Sequence, residues 1–426
     1  MKVLLVNTKE GAGGAGIAAR RLLHALQHHG HEAQMMVRLR ETDDPAVLSL
    51  PSAMWGRTCF IMERLGVVLR NRGSRQRLFA IDPGTWGTDL RCTEAFRRAD
   101  VVHLHWITQG MLSLKGLGQL LETEKRIVWT LHDMWPFTGI CHHADTCGRW
   151  LENCGECRLL QHPSAHDLSY DTFCRKRDAY ARGRLHIVTC SDWLANLARQ
   201  APLLAGCDIH SIPNPLDTDF YQPGNKLAAR QRLGIPSETR LLLFVAYKVT
   251  DEMKGSSYVR RAMEQLATQH ADLRGGSVPL GIVLVGHGAE TMAQNIPAPT
   301  YPYEYVSNEA LMRDLYQAAD LLVMPTLMDN LPNTVAEAMA CGTPVVAFRI
   351  GGLPQMICHD EDGYLADYKS LPDFVEGIRH ILLAPHYALN KFKRRHAAGD
   401  TMVITVYRNG KAIDFDVVLD MATQAG

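Results

Sequence analysis

Pro325-Thr326-Leu327-Met328-Asp329-Asn330-Leu331-Pro332-Asn333-Thr334-Val335-Ala336-Glu337-Ala338-Met339-Ala340-Cys341-Gly342-Thr343-Pro344-Val345-Val346-Ala347 decides how the rest of the chain is read. The apolar run Leu321–Met324 just before it reads as a strand that ends at Pro325. A polar loop follows, a helix begins near Asn333, and Val345–Ala347 starts another strand. A strand, a crossover helix and a second apolar strand make the repeating unit of a parallel sheet. Asp329 and Glu337 stand eight positions apart, one in the loop and one in the helix, both near the strand's carboxyl end. Carboxylates accept hydrogen bonds from sugar hydroxyls, which present several donors at once. The exposed helix N–H groups at Asn333 to Val335 suit a phosphate.

The same alternation extends in both directions. Val3–Asn7, Ala33–Val37, Val101–His105, Ile127–Leu131 and Ile187–Thr189 read as strands of a first half. Leu241–Ala246, Ile282–Val285, Leu321–Met324 and Val345–Ala347 read as strands of a second. Ala15–Gly30, Leu194–Ala201, Ser256–His270, Glu309–Ala319, Thr334–Ala340 and Asp373–Leu383 read as the helices between them. Continuous apolar strands imply burial on both faces, hence an α/β fold with helices covering parallel sheets. The turn Ile212-Pro213-Asn214-Pro215 follows a strand-like Ile209–Ile212 and divides the chain. The expected organisation is a Rossmann-like domain over 1–213, a second over 214–385, and a tail over 386–426, with the two domains facing a central cleft. At 426 residues the chain is long enough for two full cores. Lys+Arg and Asp+Glu both number 45, a balance that argues against a nucleic-acid partner. The apolar runs are too short to span a bilayer and the N-terminus does not read as a signal peptide, so a cytoplasmic location is expected.

Three further features of the second half complete a pattern. Lys248 and Lys254-Gly255 follow the strand Leu241–Ala246. Gly342-Thr343-Pro344-Val345-Val346 follows the helix that carries Glu337, and Gly351-Gly352-Leu353-Pro354-Gln355 comes soon after. With these motifs the chain resembles retaining glycosyltransferases of the GT-B fold, family 4. The family pairs two glutamates across seven residues; here Asp329 takes the first place and Glu337 the second, while Gln355 replaces a usual acid. The resemblance implies a sugar contact at Asp329, a ribose contact at Glu337, and Lys248 and Lys254 on the donor diphosphate. It also implies that the loop residues Asn330, Leu331, Pro332, Asn333 and Thr334 help to hold the donor. Fixed cations are suited to a leaving group that gains negative charge.

In the first half, His132 in Thr130-Leu131-His132-Asp133 occupies the place where similar enzymes put a histidine near the donor sugar. His103 and His105 lie in a neighbouring strand, with His105 a candidate for the acceptor side. Gly11-Ala12-Gly13-Gly14-Ala15-Gly16 opens a helix, and Gly13 and Gly14 are candidates for phosphate contact. Gly11, Gly13 and Gly16 also fit a dinucleotide fingerprint, but Thr8-Lys9-Glu10 intervene and Val37 is followed by Arg38 rather than by a ribose-binding acid. An NAD-dependent oxidoreductase is therefore the weaker alternative. A non-catalytic nucleotide-sugar binder is another.

The phrase from Thr130 to Gly139, followed by four cysteines, resembles transferases of colanic-acid and other exopolysaccharide pathways. The expected acceptor is then a glycan or a polyprenyl-linked intermediate. Cys141, Cys147, Cys154 and Cys157 within the loop 141–157 offer a structural zinc site, ordinary thiols or disulfides. The resemblance implies that catalysis needs no metal cofactor. The stretch 57–79 holds six arginines against the single acid Glu63 and fits either a peripheral contact with the inner face of a membrane or a solvated helix face. From Gly399 on, two strands joined by Asn409-Gly410 resemble the last hairpin of a PDZ domain, and Tyr387–Arg395 reads as the start of a helix.

Overall fold

Lys2–Lys9 is apolar on both faces because helices cover both, and Val3 to Thr8 are all buried. In the computed structural model, which describes residues 1–11, 13–75, 77–269, 279–383, 401–408 and 411–418, it is the first strand of a seven-stranded parallel sheet. The strands are β1 (Lys2–Lys9), β2 (Glu32–Leu39), β3 (Val47–Ser49), β4 (Val101–Leu104), β5 (Arg126–Leu131), β6 (His186–Thr189) and β7 (Asp208–Ser211). Their order is β3-β2-β1-β4-β5-β6-β7. A second parallel sheet is built from β8 (Arg240–Lys248), β9 (Leu280–His287), β10 (Thr300–Tyr303), β11 (Leu321–Met324), β12 (Val345–Phe348) and β13 (Gly363–Ala366). Its order is β10-β9-β8-β11-β12-β13. These are the two Rossmann-like α/β sheets that the alternation implies.

In each sheet the chain works outward from its first strand, then returns to that strand's other side. The order reverses between β1 and β4 in one sheet and between β8 and β11 in the other. At such a switch point neighbouring crossovers leave on opposite faces, and a crevice opens beyond the strands' carboxyl ends.

The chain divides into two units. The first holds Met1–Asp217 with Met328–Asn333 and Ile350–Met356, and the second holds the remaining segments. The strands that the sequence does not announce are β3, β10 and β13. All are three or four residues long and lie at or next to a sheet edge. Thr300-Tyr301-Pro302-Tyr303 carries a proline, which an edge strand tolerates because one side of its ladder is unused. Helices at Ala53–Arg70, Leu114–Leu121, Leu168–Tyr180 and Lys226–Leu233 are also additions to the sequence reading. Each has a side-chain N-cap, from Ser52, Ser113, Asp167 and Asn225. In the tail, β14 (Thr401–Arg408) and β15 (Lys411–Val418) pair antiparallel with Arg408 opposite Lys411. The helix expected at Tyr387–Arg395 lies outside the described residues.

A buried ionic network fixes the backbone that follows β4 and β5. His142 lies between two carboxylates, its Nε2 3.0 Å from Asp82 and its Nδ1 2.7 Å from Asp133. Asp133 also accepts the indole N–H of Trp106 at 2.9 Å and the backbone N–H of Trp135 at 2.9 Å. Burial opposes charging of His142, but Asp133 and Asp82 overcome it and raise the imidazole to about 10. Asp133 is held at about 2, against its own desolvation, chiefly by His142.

A raised histidine pKa stabilises the fold fully below the unfolded value of about 6.5, and that contribution fades as pH climbs through about 10. At neutral pH His142→Gln is expected to cost about 3–5 kcal/mol, because it takes the cationic partner from the buried Asp133, while Asp82 keeps Arg64. Thermal unfolding checks this: the deficit should narrow between pH 7 and pH 10, and a constant deficit would contradict the charged state of His142.

Candidate functional site

In the second unit the predicted cations sit beyond β8. Lys248 is its last residue, and is exposed. A short 3-10 turn, Glu252–Lys254, then leads through Gly255 into the helix Ser256–Gln269. Gly255 has φ +83°, and a Cβ there would lie 2.0 Å from the Pro325 carbonyl oxygen. Only glycine lets the turn press against the segment leaving β11. Leu327 N–H donates to the Met253 carbonyl at 2.9 Å and Thr326 Oγ1 to the same oxygen at 3.2 Å. Half-buried Lys254 and the N-terminus of a long helix are thus fixed beside the end of β11.

Glu337 lies in the helix Asn333–Ala340 and is only 6% exposed. Its carboxylate accepts the phenol O–H of Tyr316 at 2.6 Å. Tyr316 is fully buried on the helix Glu309–Ala318, and its carbonyl accepts the Thr343 hydroxyl at 2.6 Å. Sequence reasoning missed Tyr316, because nothing in a helical pattern distinguishes an aromatic that fills a core from one that also orients an acid. It also missed three rings at the carboxyl ends of β8, β9 and β10. Tyr247 meets His287 at 5.1 Å, and His287 stacks on Tyr305 with centroids 5.4 Å apart and planes 10° apart. All three are exposed.

The remaining predicted residues belong to the first unit, except Thr334, which opens a segment of the second. Asp329 is half-buried, and its Oδ1 accepts the Asn330 N–H at 3.1 Å. Asn330 is buried, and its side chain is committed to protein. It accepts the Ser191 hydroxyl at 2.5 Å and donates to the His132 carbonyl at 3.2 Å. Gly351 and Gly352 brace this loop: Cβ atoms there would stand 2.0 Å from the Asp329 oxygen and 2.3 Å from the Asn330 oxygen. Asn333 donates to the Gly14 carbonyl at 3.0 Å and accepts from Asn214 at 2.9 Å. Leu331 and Thr334 are half-buried and Pro332 is buried. Gly13 and Gly14 are exposed at the start of the helix Gly14–His28, which has no side-chain cap.

The first sheet departs from the sequence reading at the end of β2. The strand continues to Leu39, paired with Lys9, so the residues that follow it are Arg40 and Glu41 rather than Arg38. Glu41 supplies the acid missing from that reading, and its carboxylate accepts the Gly11 N–H at 3.1 Å. That N–H of the glycine turn is therefore engaged by a protein carboxylate.

His132 follows β5 directly and belongs to a stack of three imidazoles. His103 and His105 have centroids 4.5 Å apart, and His105 and His132 5.3 Å apart. His105 Nδ1 lies 3.0 Å from His132 Nε2, and His132 Nδ1 lies 3.4 Å from Cys190 Sγ. The Cys190 thiol donates to the Leu131 carbonyl, so its sulfur is the acceptor toward His132. This direction makes His132 the Nδ1–H tautomer, with His105 donating to its Nε2. His105 Nε2 then keeps a buried lone pair with no partner. Burial lowers His103 and His132 to about 4 and His105 further, so the stack is neutral at physiological pH.

The four cysteines of the loop 141–157 are partly buried. Cys141, Cys147 and Cys154 pack against the main apolar cluster and Cys157 against a smaller one. Among the described residues no group of three or more His, Cys, Asp or Glu side chains is placed to hold a metal ion. Cys154 Sγ accepts the Gly139 N–H at 3.1 Å, and burial raises the Cys141 and Cys154 thiols to about 11 and about 12. All eleven cysteines are unpaired, so the disulfide option has no support either.

Residues 12–220 match the family model described as "Glycosyltransferase Family 4", and residues 239–383 match "Glycosyl transferases group 1". The D-inositol 3-phosphate glycosyltransferase 2 of Catenulispora acidiphila is 30% identical over 185 residues. That alignment covers 41% of this chain and 43% of the relative, so the chain spans less than half of that protein's length. Among solved structures, sucrose-phosphate synthase from Thermosynechococcus elongatus superposes with a TM-score of 0.62 at 18% identity, covering 92% of both chains. Anabaena Alr3699/HepE in complex with UDP and glucose gives a TM-score of 0.57 at 15% identity, over 93% of this chain and 95% of that one. At these identities the structural likeness speaks for the fold. The two family models, which follow one another along most of the sequence, show that the chain belongs to the group 1/family 4 glycosyltransferases of the GT-B fold.

Proposed function

We propose that the chain is a retaining glycosyltransferase that moves a sugar from a GDP- or UDP-linked donor to a glycan or lipid-linked acceptor of a surface polysaccharide. One observation carries this reading: Lys254 and Glu337 are fixed in one unit around the switch point between β8 and β11. That point is where a parallel sheet offers its ligand crevice. A nucleoside diphosphate needs what is found there, namely cations and a helix N-terminus for phosphate and a carboxylate for ribose hydroxyls. The structural neighbour with UDP and glucose supports the same class of donor.

In this reading Lys248, Lys254 and the helix N-terminus at Ser256 meet the charge that grows on the leaving diphosphate. Glu337, aimed by Tyr316, accepts from ribose. Tyr247, His287 and Tyr305 offer ring faces to the base. Asp329, residues 330–334 and the neutral His132 are the candidates for contact with the transferred sugar. The acceptor attacks from the face that the diphosphate leaves, so no side-chain nucleophile is used and no cofactor is required. The shorter acid at Asp329 keeps a second reading open, a nucleotide-sugar binder without transfer.

Transfer from radiolabelled UDP- and GDP-sugars to a membrane extract tests the proposal, with proton NMR reading the product's anomeric configuration. A product of unchanged configuration is expected, and an inverted one would refute the mechanism. Lys254→Ala should lower kcat by about 10²–10³-fold, the usual effect of removing one stabiliser of transition-state charge. Undiminished transfer by that variant would refute the assignment. Tyr316→Phe should cut kcat/KM for the donor about ten-fold through the lost hydrogen bond to Glu337. An unchanged kcat/KM in that variant would remove Tyr316 from the site.

A further inference from the structure

The helix Ala53–Arg70 is turned opposite to the usual pattern. Gly56, Cys59, Glu63, Arg64 and Val67 are buried, while Met54, Ile61, Leu65 and Leu69 are 79%, 51%, 44% and 68% exposed. The exposed set recurs at intervals of seven, four and four, so it forms one ridge along the outer face. At 1.5 Å per residue this ridge is about 22 Å long. Trp55 lies along one flank, and Phe79 beyond the helix is also exposed.

The rotation of the helix is fixed by polar groups on its inner side. The Glu63 carboxylate accepts the N–H groups of Thr85 and Trp86, at 3.0 Å and 2.9 Å. The Arg64 guanidinium is paired with Asp82 and donates to the Ile81 carbonyl at 3.1 Å. Turning the apolar ridge inward would pull a carboxylate and a guanidinium out of these bonds. The exposure of the ridge is therefore built in.

Charge selects the occupant. Arg57, Arg70, Arg72, Arg75 and Arg77 are exposed around the ridge, and Glu63, the one acid between residues 51 and 80, is buried. Arg70 leans toward Asp171 at 3.7 Å and Arg77 donates to the Arg158 carbonyl at 3.2 Å, and Arg57, Arg72 and Arg75 are exposed. An apolar helical ridge edged by tryptophan and arginine, with no exposed acid of its own between residues 51 and 80, fits the boundary between anionic headgroups and acyl chains. We propose that the helix Ala53–Arg70 and the arginine-rich turn after it dock this chain on an anionic lipid bilayer, with Met54, Ile61, Leu65 and Leu69 entering the acyl boundary. This goes beyond the transferase reading and does not depend on it.

Co-sedimentation of the full chain with vesicles of phosphatidylcholine, with and without 30% phosphatidylglycerol, tests the proposal. Binding is expected only to the anionic vesicles, with a blue shift of tryptophan emission that is lost in Trp55→Phe. Combining Ile61→Ser, Leu65→Ser and Leu69→Ser should abolish binding without lowering Tm, because these side chains face solvent. Arg57→Gln, Arg72→Gln and Arg75→Gln should each weaken binding about five-fold, from roughly 1 kcal/mol per basic side chain near a charged surface. No binding, equal binding to neutral vesicles, or binding that survives the serine variants would overturn the proposal. So would light scattering that shows a dimer which the serine variants dissociate, since a second copy would then cover the ridge.

Discussion

A parallel strand is entered from the same end as its neighbour, so every crossover must return along the sheet and every strand opens at one side. That constraint decides where this chain can do chemistry. In the second sheet β8 is flanked by β9 and β11, and the chain reverses its direction of travel between β8 and β11. Helices on either side of that reversal leave on opposite faces, and the loops after these two strands border the crevice. The first sheet repeats the arrangement around β1 and β4, with the glycine-rich turn after β1 and His105 after β4.

Backbone, more than side chains, then sets the position of the candidate groups. The Lys254 turn is tied to Pro325–Leu327 by two hydrogen bonds to the Met253 carbonyl and by the close approach that Gly255 permits. Gly351 and Gly352 make the same kind of approach to Asp329 and Asn330. Loops built this way cannot drift without losing buried hydrogen bonds, whose carbonyls and N–H groups would be left unpaired. Precise placement matters because a fixed charge stabilises a growing one only where it is already oriented. Glu337 and His132 reach the same end by side-chain bonds, to Tyr316 and to His105 and Cys190.

The sequence announces the strands that are buried on both faces. Leu241–Ala246, Leu321–Met324 and Val345–Ala347 are continuous apolar runs because helices cover both sides of the sheet, and all lie within observed strands. Thr300–Tyr303 and Val47–Ser49 are short edge strands of mixed burial, so their patterns carry little information. Lys254, Asp329 and Glu337 were legible as candidates because their motifs follow strands that the sequence also announces. Tyr316 was not, since its phenol meets Glu337 across 21 residues and two crossovers. The helix Ala53–Arg70 was legible as basic and apolar, but only packing reveals that Glu63 and Arg64 turn inward while Ile61, Leu65 and Leu69 face out. For the four cysteines the sequence shows only the spacing, while their packing against two apolar clusters is visible only in the fold.

The central claim is that the crevice beside β8 and β11 takes a nucleoside diphosphate. Thermal unfolding in the presence of UDP, GDP, ADP and NAD tests it most directly. A ligand at about 100 times its dissociation constant adds about 2.7 kcal/mol to stability, enough for a clear rise in Tm. The account predicts a rise with UDP or GDP that is lost in Glu337→Ala. A rise with NAD alone, or one that Glu337→Ala leaves intact, would contradict it.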